Sequence, residues 1–136
     1  MNADSTGDRT LTELDHVRLA ALLRRGQSPA SAPLSDLLDS ADLVPSREVG
    51  ADVVTMYSQV ELVDAASGER RRLVPCYPAD ANADTGFVSA LSPVGSALLG
   101  CRVGDTVSWT TPDGREHRAE IVALHFQPEA SGDYAT

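Results

Sequence analysis

The spacing of apolar residues changes once along this chain of 136 residues, between Pro45 and Ala51. Before that point leucines recur with the 3.6-residue period of helices; after it they alternate or cluster in short β-type runs. A single switch of this kind confines the chain to an α+β architecture with its helices at the start. The expected organisation is a short antiparallel helical hairpin over residues 1–45, of coiled-coil type. A second domain over residues 46–136 is expected to carry a twisted, mostly antiparallel sheet and one short helix.

In the first part, Thr10 and Glu13 have the spacing of a capping box. Leu11, Leu14, Val17 and Ala21 follow as an apolar stripe, widened by Leu22 and Leu23. Arg24, Arg25 and Gly26 suit a helix C-terminus, so a helix of about fifteen residues, about 23 Å long, is expected after a frayed start over residues 1–9. The segment 27–32 reads as a small-residue turn. Pro33 then opens a second helix through Leu34, Leu37, Leu38 and Ala41, which Pro45 ends.

In the second part, strands are expected at 52–56, 60–64, 69–77, 87–91, 106–111 and 115–127, with a turn at Thr111-Pro112-Asp113-Gly114 between the last two. Pro75 and Pro78 lack an N–H, which places their strand's end, or a sheet edge, there. In the last strand Val122, Leu124 and Phe126 alternate with Ile121 and Ala123, the pattern of a strand covered on both faces. Ser92-Pro93 reads as an N-cap and first residue of a short helix that stops at Gly100.

Charge excludes one class of partner. All eleven basic residues are arginine, there is no lysine, and 20 acidic residues bring the net charge to −9. Splitting at Pro45 sets 4 arginines against 7 acids before it and 7 against 13 after it, so neither part carries the positive field that holds nucleic acid by its phosphates. A phosphate-binding loop of the lysine type is excluded outright. Apolar runs are only a few residues long and the first residues are acidic and polar, so neither a membrane span nor a secretory signal is expected, and the cytoplasm is the expected location.

The candidate chemistry is sparse. His16 sits on the first helix; His117 and His125 share strand parity but stand about 26 Å apart along a straight strand, too far to share a metal. Cys76 and Cys101 lack the spacing of metal ligands and read as buried thiols. Ser92 is not in a nucleophile motif. Arg70-Arg71-Arg72 reads as a solvated run or as a small contact for an acidic partner, and Trp109 as a packing residue. No catalytic, cofactor or metal residue is therefore expected. The segment from Leu91 to Gly100 supports two readings: a helix packed on the sheet through Val94, Leu98 and Leu99, or an exposed apolar knob for protein contact. Its residues alone leave both open.

Several ordered blocks carry a further signal: Val53-Val54-Thr55-Met56-Tyr57-Ser58, Tyr77-Pro78-Ala79-Asp80-Ala81, and Ser92-Pro93-Val94-Gly95-Ser96-Ala97-Leu98-Leu99-Gly100. Val103-Gly104-Asp105, Trp109, Pro112-Asp113-Gly114 and Gln127-Pro128-Glu129-Ala130 complete the pattern. Together they resemble the Gre family of transcription elongation factors, and within it the Rnk-type branch, the regulators of nucleoside diphosphate kinase. The resemblance implies an FKBP-like C-terminal domain that grips a coiled coil of the largest subunit of RNA polymerase at the mouth of the secondary channel. It assigns the docking surface to Ser92, Pro93, Val94 and Ala97, with Leu98 and Leu99 holding the segment on the sheet. Gre factors that stimulate transcript cleavage carry acidic residues at the hairpin tip to hold Mg²⁺, whereas the tip expected here, residues 27–32, has no carboxylate. Tyr57 and Cys76 also stand where the Rnk-type pattern leads us to expect other residues. The function implied is that of a non-catalytic regulator that competes with cleavage factors for polymerase. The alternatives are a prolyl isomerase of FKBP type and a partner-binding modulator of nucleoside diphosphate kinase.

Overall fold

The computed structural model describes residues 9–25 and 32–132. Strand β1 (Thr10–Thr12) leads into helix α1 (Glu13–Arg25), followed by α2 (Ala32–Ser40) and strand β2 (Asp42–Val44). Then come β3 (Gln59–Asp64), β4 (Arg70–Cys76), β5 (Phe87–Ser89), helix α3 (Pro93–Leu98), β6 (Thr106–Thr110) and β7 (Glu116–Phe126). Five strands form one sheet in the order β5-β4-β3-β7-β6, antiparallel except for the parallel β4/β5 pair. β1 and β2 form a separate parallel ribbon. Among the described residues no helix is long and apolar enough to cross a membrane.

The α+β class and most elements match the expectation; several local features differ. Thr10 does not cap the first helix, because residues 10–12 are drawn out as β1. The Thr10 N–H donates to Gly100 O at 3.1 Å, and Thr10 pairs with Asp42 across the ribbon. Thr12 takes the capping role instead, its Oγ1 accepting from Asp15 N–H at 3.0 Å. The helix is consequently 13 residues long. Its buried face is Asp15, Leu19 and Leu23, spaced by four, which turns Val17 out to 62% exposure. Of the turn expected over residues 27–32, residues 27–31 lie outside the described residues, and Ala32 already belongs to α2. α2 ends at Ser40 rather than at Pro45, because residues 42–44 pair with β1.

Residues 52–56 do not form a strand. Only Val53 among them makes a bridge, to Arg102, and Val53, Val54 and Met56 are buried as a loop threading between the helices and the sheet. Pro75 pairs with Val88 of β5 but is tolerated because the Val74 N–H donates toward that side, to Gly86 O, which turns the nitrogen at 75 toward the β3 side, where the β3/β4 ladder has ended at Leu73. The last strand is not covered on both faces. Its register against β3 shifts twice, between Gln59 and Val60 and between Glu61 and Leu62, and these irregularities break the alternation that the pattern assumed. Ile121 is fully buried, Leu124 packs against the same core, and Phe126 is 40% exposed.

Two apolar cores result. One joins Leu11, Leu19, Leu23, Leu34, Leu37 and Leu38 of the N-terminal elements to Met56, Ala90 and Leu99. The other lies between α3 and the sheet: Val54, Val60, Leu62, Leu73, Leu98, Cys101, Val107, Ala119 and Ile121. The adjacent residues Leu98 and Leu99 enter different cores, and both are fully buried. This is possible because Leu98 ends the helix while Leu99, at φ −60° and ψ 131°, is extended.

Candidate functional site

Helix α3 is a short helix held at both ends and from beneath. At its start, Ser92 is extended and its Oγ accepts from Gly95 N–H at 3.1 Å while donating to Ser89 O at 2.6 Å. Pro93 occupies the first helical position, where its missing N–H costs nothing. Beneath, position 95 admits only glycine: a Cβ there would stand 2.0 Å from Ser89 O. The close approach of helix to backbone is therefore encoded by one hydrogen atom. Ser96 Oγ turns back onto Ser92 O at 3.1 Å, so the buried hydroxyl is satisfied within the helix.

With α3 seated in this way, Ser92, Pro93, Val94 and Ala97 are all half-buried, neither lost in the core nor free of it. The packing of this segment on the sheet is as expected, while its outer side is half-buried rather than a fully exposed knob. Leu98 packs inward, Val94 leans against the second core, and Ser92, Pro93 and Ala97 keep part of their surface in solvent.

The end of α3 is held by a residue that sequence reasoning assigned to a frayed start. Arg9 donates from Nε to Leu99 O at 2.9 Å, and from Nη2 to Leu99 O at 2.6 Å, to Ala97 O at 3.3 Å and to Ser96 O. These are carbonyls that a helix C-terminus leaves without partners, and a guanidinium suits their negative end. Burial pushes the Arg9 pKa below its ordinary value, yet arginine stays charged at any physiological pH. Gly100, with φ +83°, lets the chain turn under Arg9 and Thr10; a Cβ there would meet Arg9 Cβ and the Thr10 backbone at 3.1 Å. Cys101 lies beside this joint, its Sγ donating to Ala97 O at 3.3 Å, and burial pushes its thiol up to about 11, an inert packing group.

The other polar residues are dispersed. His16 Nε2 lies 3.0 Å from Leu38 O, linking α1 to α2. His117 stacks on Trp109 with ring centroids 5.5 Å apart, while His125 meets Glu61 at 2.5 Å, so the two strand histidines serve different neighbours. Glu61 also holds Arg70 at 2.6 Å; Arg70, Arg71 and Arg72 are all exposed. Cys76 is a buried free thiol, and Tyr57, at φ +67°, directs its hydroxyl to Asp80. Among the described residues no three His, Cys, Asp or Glu side chains are gathered as metal ligands.

Asp15 is a polar residue on an apolar face, 2% exposed. Its Oδ2 accepts from Met56 N–H at 3.1 Å, tying α1 to the loop before β3. Beside that loop Thr55 Oγ1 donates to Glu129 Oε1 at 2.7 Å. Burial raises the Asp15 pKa to about 6, with Met56 N–H and Arg18 opposing the shift and Glu129 reinforcing it. The signal was available in the sequence: 15, 19 and 23 are spaced by four, so the aspartate occupies a core position of the helix.

Comparison with known proteins supplies the remaining constraint. Residues 49–126 match the family model "Transcription elongation factor, GreA/GreB, C-term", a span that includes all of α3 and the sheet. The chain is 38% identical over 128 residues to "Regulator of nucleoside diphosphate kinase" of Escherichia coli K12, covering 91% of this chain and 93% of that protein. It is 44% identical over 94 residues to "Transcription inhibitor protein Gfh1" of Thermus thermophilus, covering 68% of this chain and 58% of that one. A solved structure, the "Prokaryotic transcription elongation factor GreA/GreB from Nitrosomonas europaea", superimposes with a TM-score of 0.74 at 35% identity, covering 88% of this chain and 98% of that chain.

Proposed function

Since the chain belongs to the GreA/GreB transcription elongation factor family, we propose that it is a non-catalytic regulator that binds RNA polymerase at the rim of the secondary channel. Ser92, Pro93, Val94 and Ala97 then face the coiled coil of the largest subunit, and the protein competes with cleavage factors of the Gre type without stimulating cleavage itself. It acts in the cytoplasm, where polymerase is. The observation that carries this reading is that the matched span 49–126 contains α3, a short helix fixed from both ends that keeps one side partly in solvent. A surface set this rigidly loses little conformational freedom on docking. Similarity to a transcription inhibitor, rather than only to elongation factors, favours occupancy over chemistry. On the same reading the sheet with α3 is FKBP-like, and α1 with α2 is a helical hairpin whose expected tip, residues 27–32, has no carboxylate in its sequence to hold a metal.

A second reading, modulation of a nucleoside diphosphate kinase by direct contact, is favoured by the name of the relative that aligns with 91% of this chain. One experiment separates the two. Labelled protein is titrated with core RNA polymerase, with a cleavage factor as unlabelled competitor, and the kinase is titrated in parallel. Saturable polymerase binding that the competitor displaces is the expected result; binding to the kinase alone would replace the first reading by the second. Pro93→Ala and Ala97→Glu are expected to weaken polymerase binding at unchanged fold. Val94→Asp is the less clean probe, because Val94 also packs against the second core.

A further inference from the structure

We infer that Arg9 is a positioning residue for the docking helix, linking where α1 and α2 lie to how α3 is presented; this rests on the docking surface proposed above. The residue stands at a three-way joint. Its guanidinium holds the carbonyls of Ser96, Ala97 and Leu99 at the end of α3. Its own carbonyl accepts from Asp42 N–H at 2.9 Å, the start of β2 and so the exit of α2. The next residue, Thr10, donates to Gly100 O and opens the strand that feeds α1.

Little inside the helix replaces these bonds. A six-residue helix has few internal hydrogen bonds; in α3 the bond from Leu99 N–H to Gly95 O is stretched to 3.4 Å. Its exit is therefore set from outside, and the fork-shaped guanidinium, which donates from two nitrogens at once, does the setting. Lysine, with a compact ammonium and no planar fork, cannot reproduce that arrangement. The half-exposed side of α3 is thus oriented by an arginine near the other end of the chain.

Three measurements on the full chain test this. Amide hydrogen exchange is followed in wild type, Arg9→Ala and Arg9→Lys; affinity for core RNA polymerase is measured for each; and each change is combined with Pro93→Ala. Faster exchange confined to residues 95–101 is expected in both Arg9 variants, with affinity lowered about tenfold in Arg9→Ala. Arg9 and Pro93 sit at opposite ends of α3, so independent effects would multiply, whereas action through the helix makes the double variant no weaker than the poorer single one. Unchanged exchange over 95–101 in folded Arg9→Lys overturns the inference, as does multiplicative loss in the double variants. If Pro93→Ala binds polymerase as wild type while exchange over 95–101 still rises in the Arg9 variants, the docking surface is wrong and the role of Arg9 in setting α3 stands.

Discussion

Asp15 shows how much one residue contributes to this molecule. A carboxylate at 2% exposure among leucines is costly when ionised, and its single backbone donor, Met56 N–H, only partly offsets the loss of water. Its folded pKa of about 6 lies above the 3.8 of an ordinary aspartate. The folded state therefore holds the proton more tightly than the unfolded chain does. The resulting stability is fully present below about pH 4 and is lost as pH rises through 6, a change of about 3 kcal/mol for a two-unit shift. Urea unfolding at pH 5 and pH 7.5 checks this: wild type gains stability from this group at the lower pH, and Asp15→Asn, which keeps an acceptor for Met56, flattens the difference. An equal slope in the variant would show that other groups carry it.

At the scale of elements, helix α1 separates what periodicity reveals from what it hides. A helix at this place was legible from its leucines and its arginine-rich end. Its face was not, because Leu11, Leu14 and Val17 make a plausible stripe only if residue 11 is helical, and Leu11 belongs to a strand paired with residues 42–44. Such a ribbon joins segments distant in sequence, and no local pattern announces it. The cap moved with it, from Thr10 to Thr12. Thermal unfolding checks the corrected face. Leu19→Ala is expected to cost about 2–5 kcal/mol, Thr12→Ala about 1 kcal/mol, and Val17→Lys within about 0.5 kcal/mol of nothing. Helix α3, by contrast, was legible almost to the residue, because Ser-Pro at the start and glycine at the end are local chemistry. What sequence could not show there was Arg9, whose role exists only through contacts some ninety positions away.

At the scale of the whole molecule, the adjacent leucines at 98 and 99 enter different cores, as do Val54 and Met56 of the loop before β3, so the two cores share backbone at two places. Loosening either core withdraws one of these leucines and tilts the other. Heating is therefore expected to unfold the chain in one transition, with Trp109 fluorescence, which reports on the sheet, coincident with the helical circular-dichroism signal. Two separated midpoints would show that the helices and the sheet are independent units.

The bond between Arg9 and Leu99 spans 90 positions, and that span has a meaning during synthesis. At about 5–20 residues per second, a ribosome needs about 5–18 s to deliver the carbonyl that Arg9 will hold. Until position 99 emerges, the carbonyls that Arg9 holds at the end of α3 are not all in place. The joint cannot close before then, and β6 and β7, which complete the core beneath α3, follow later still.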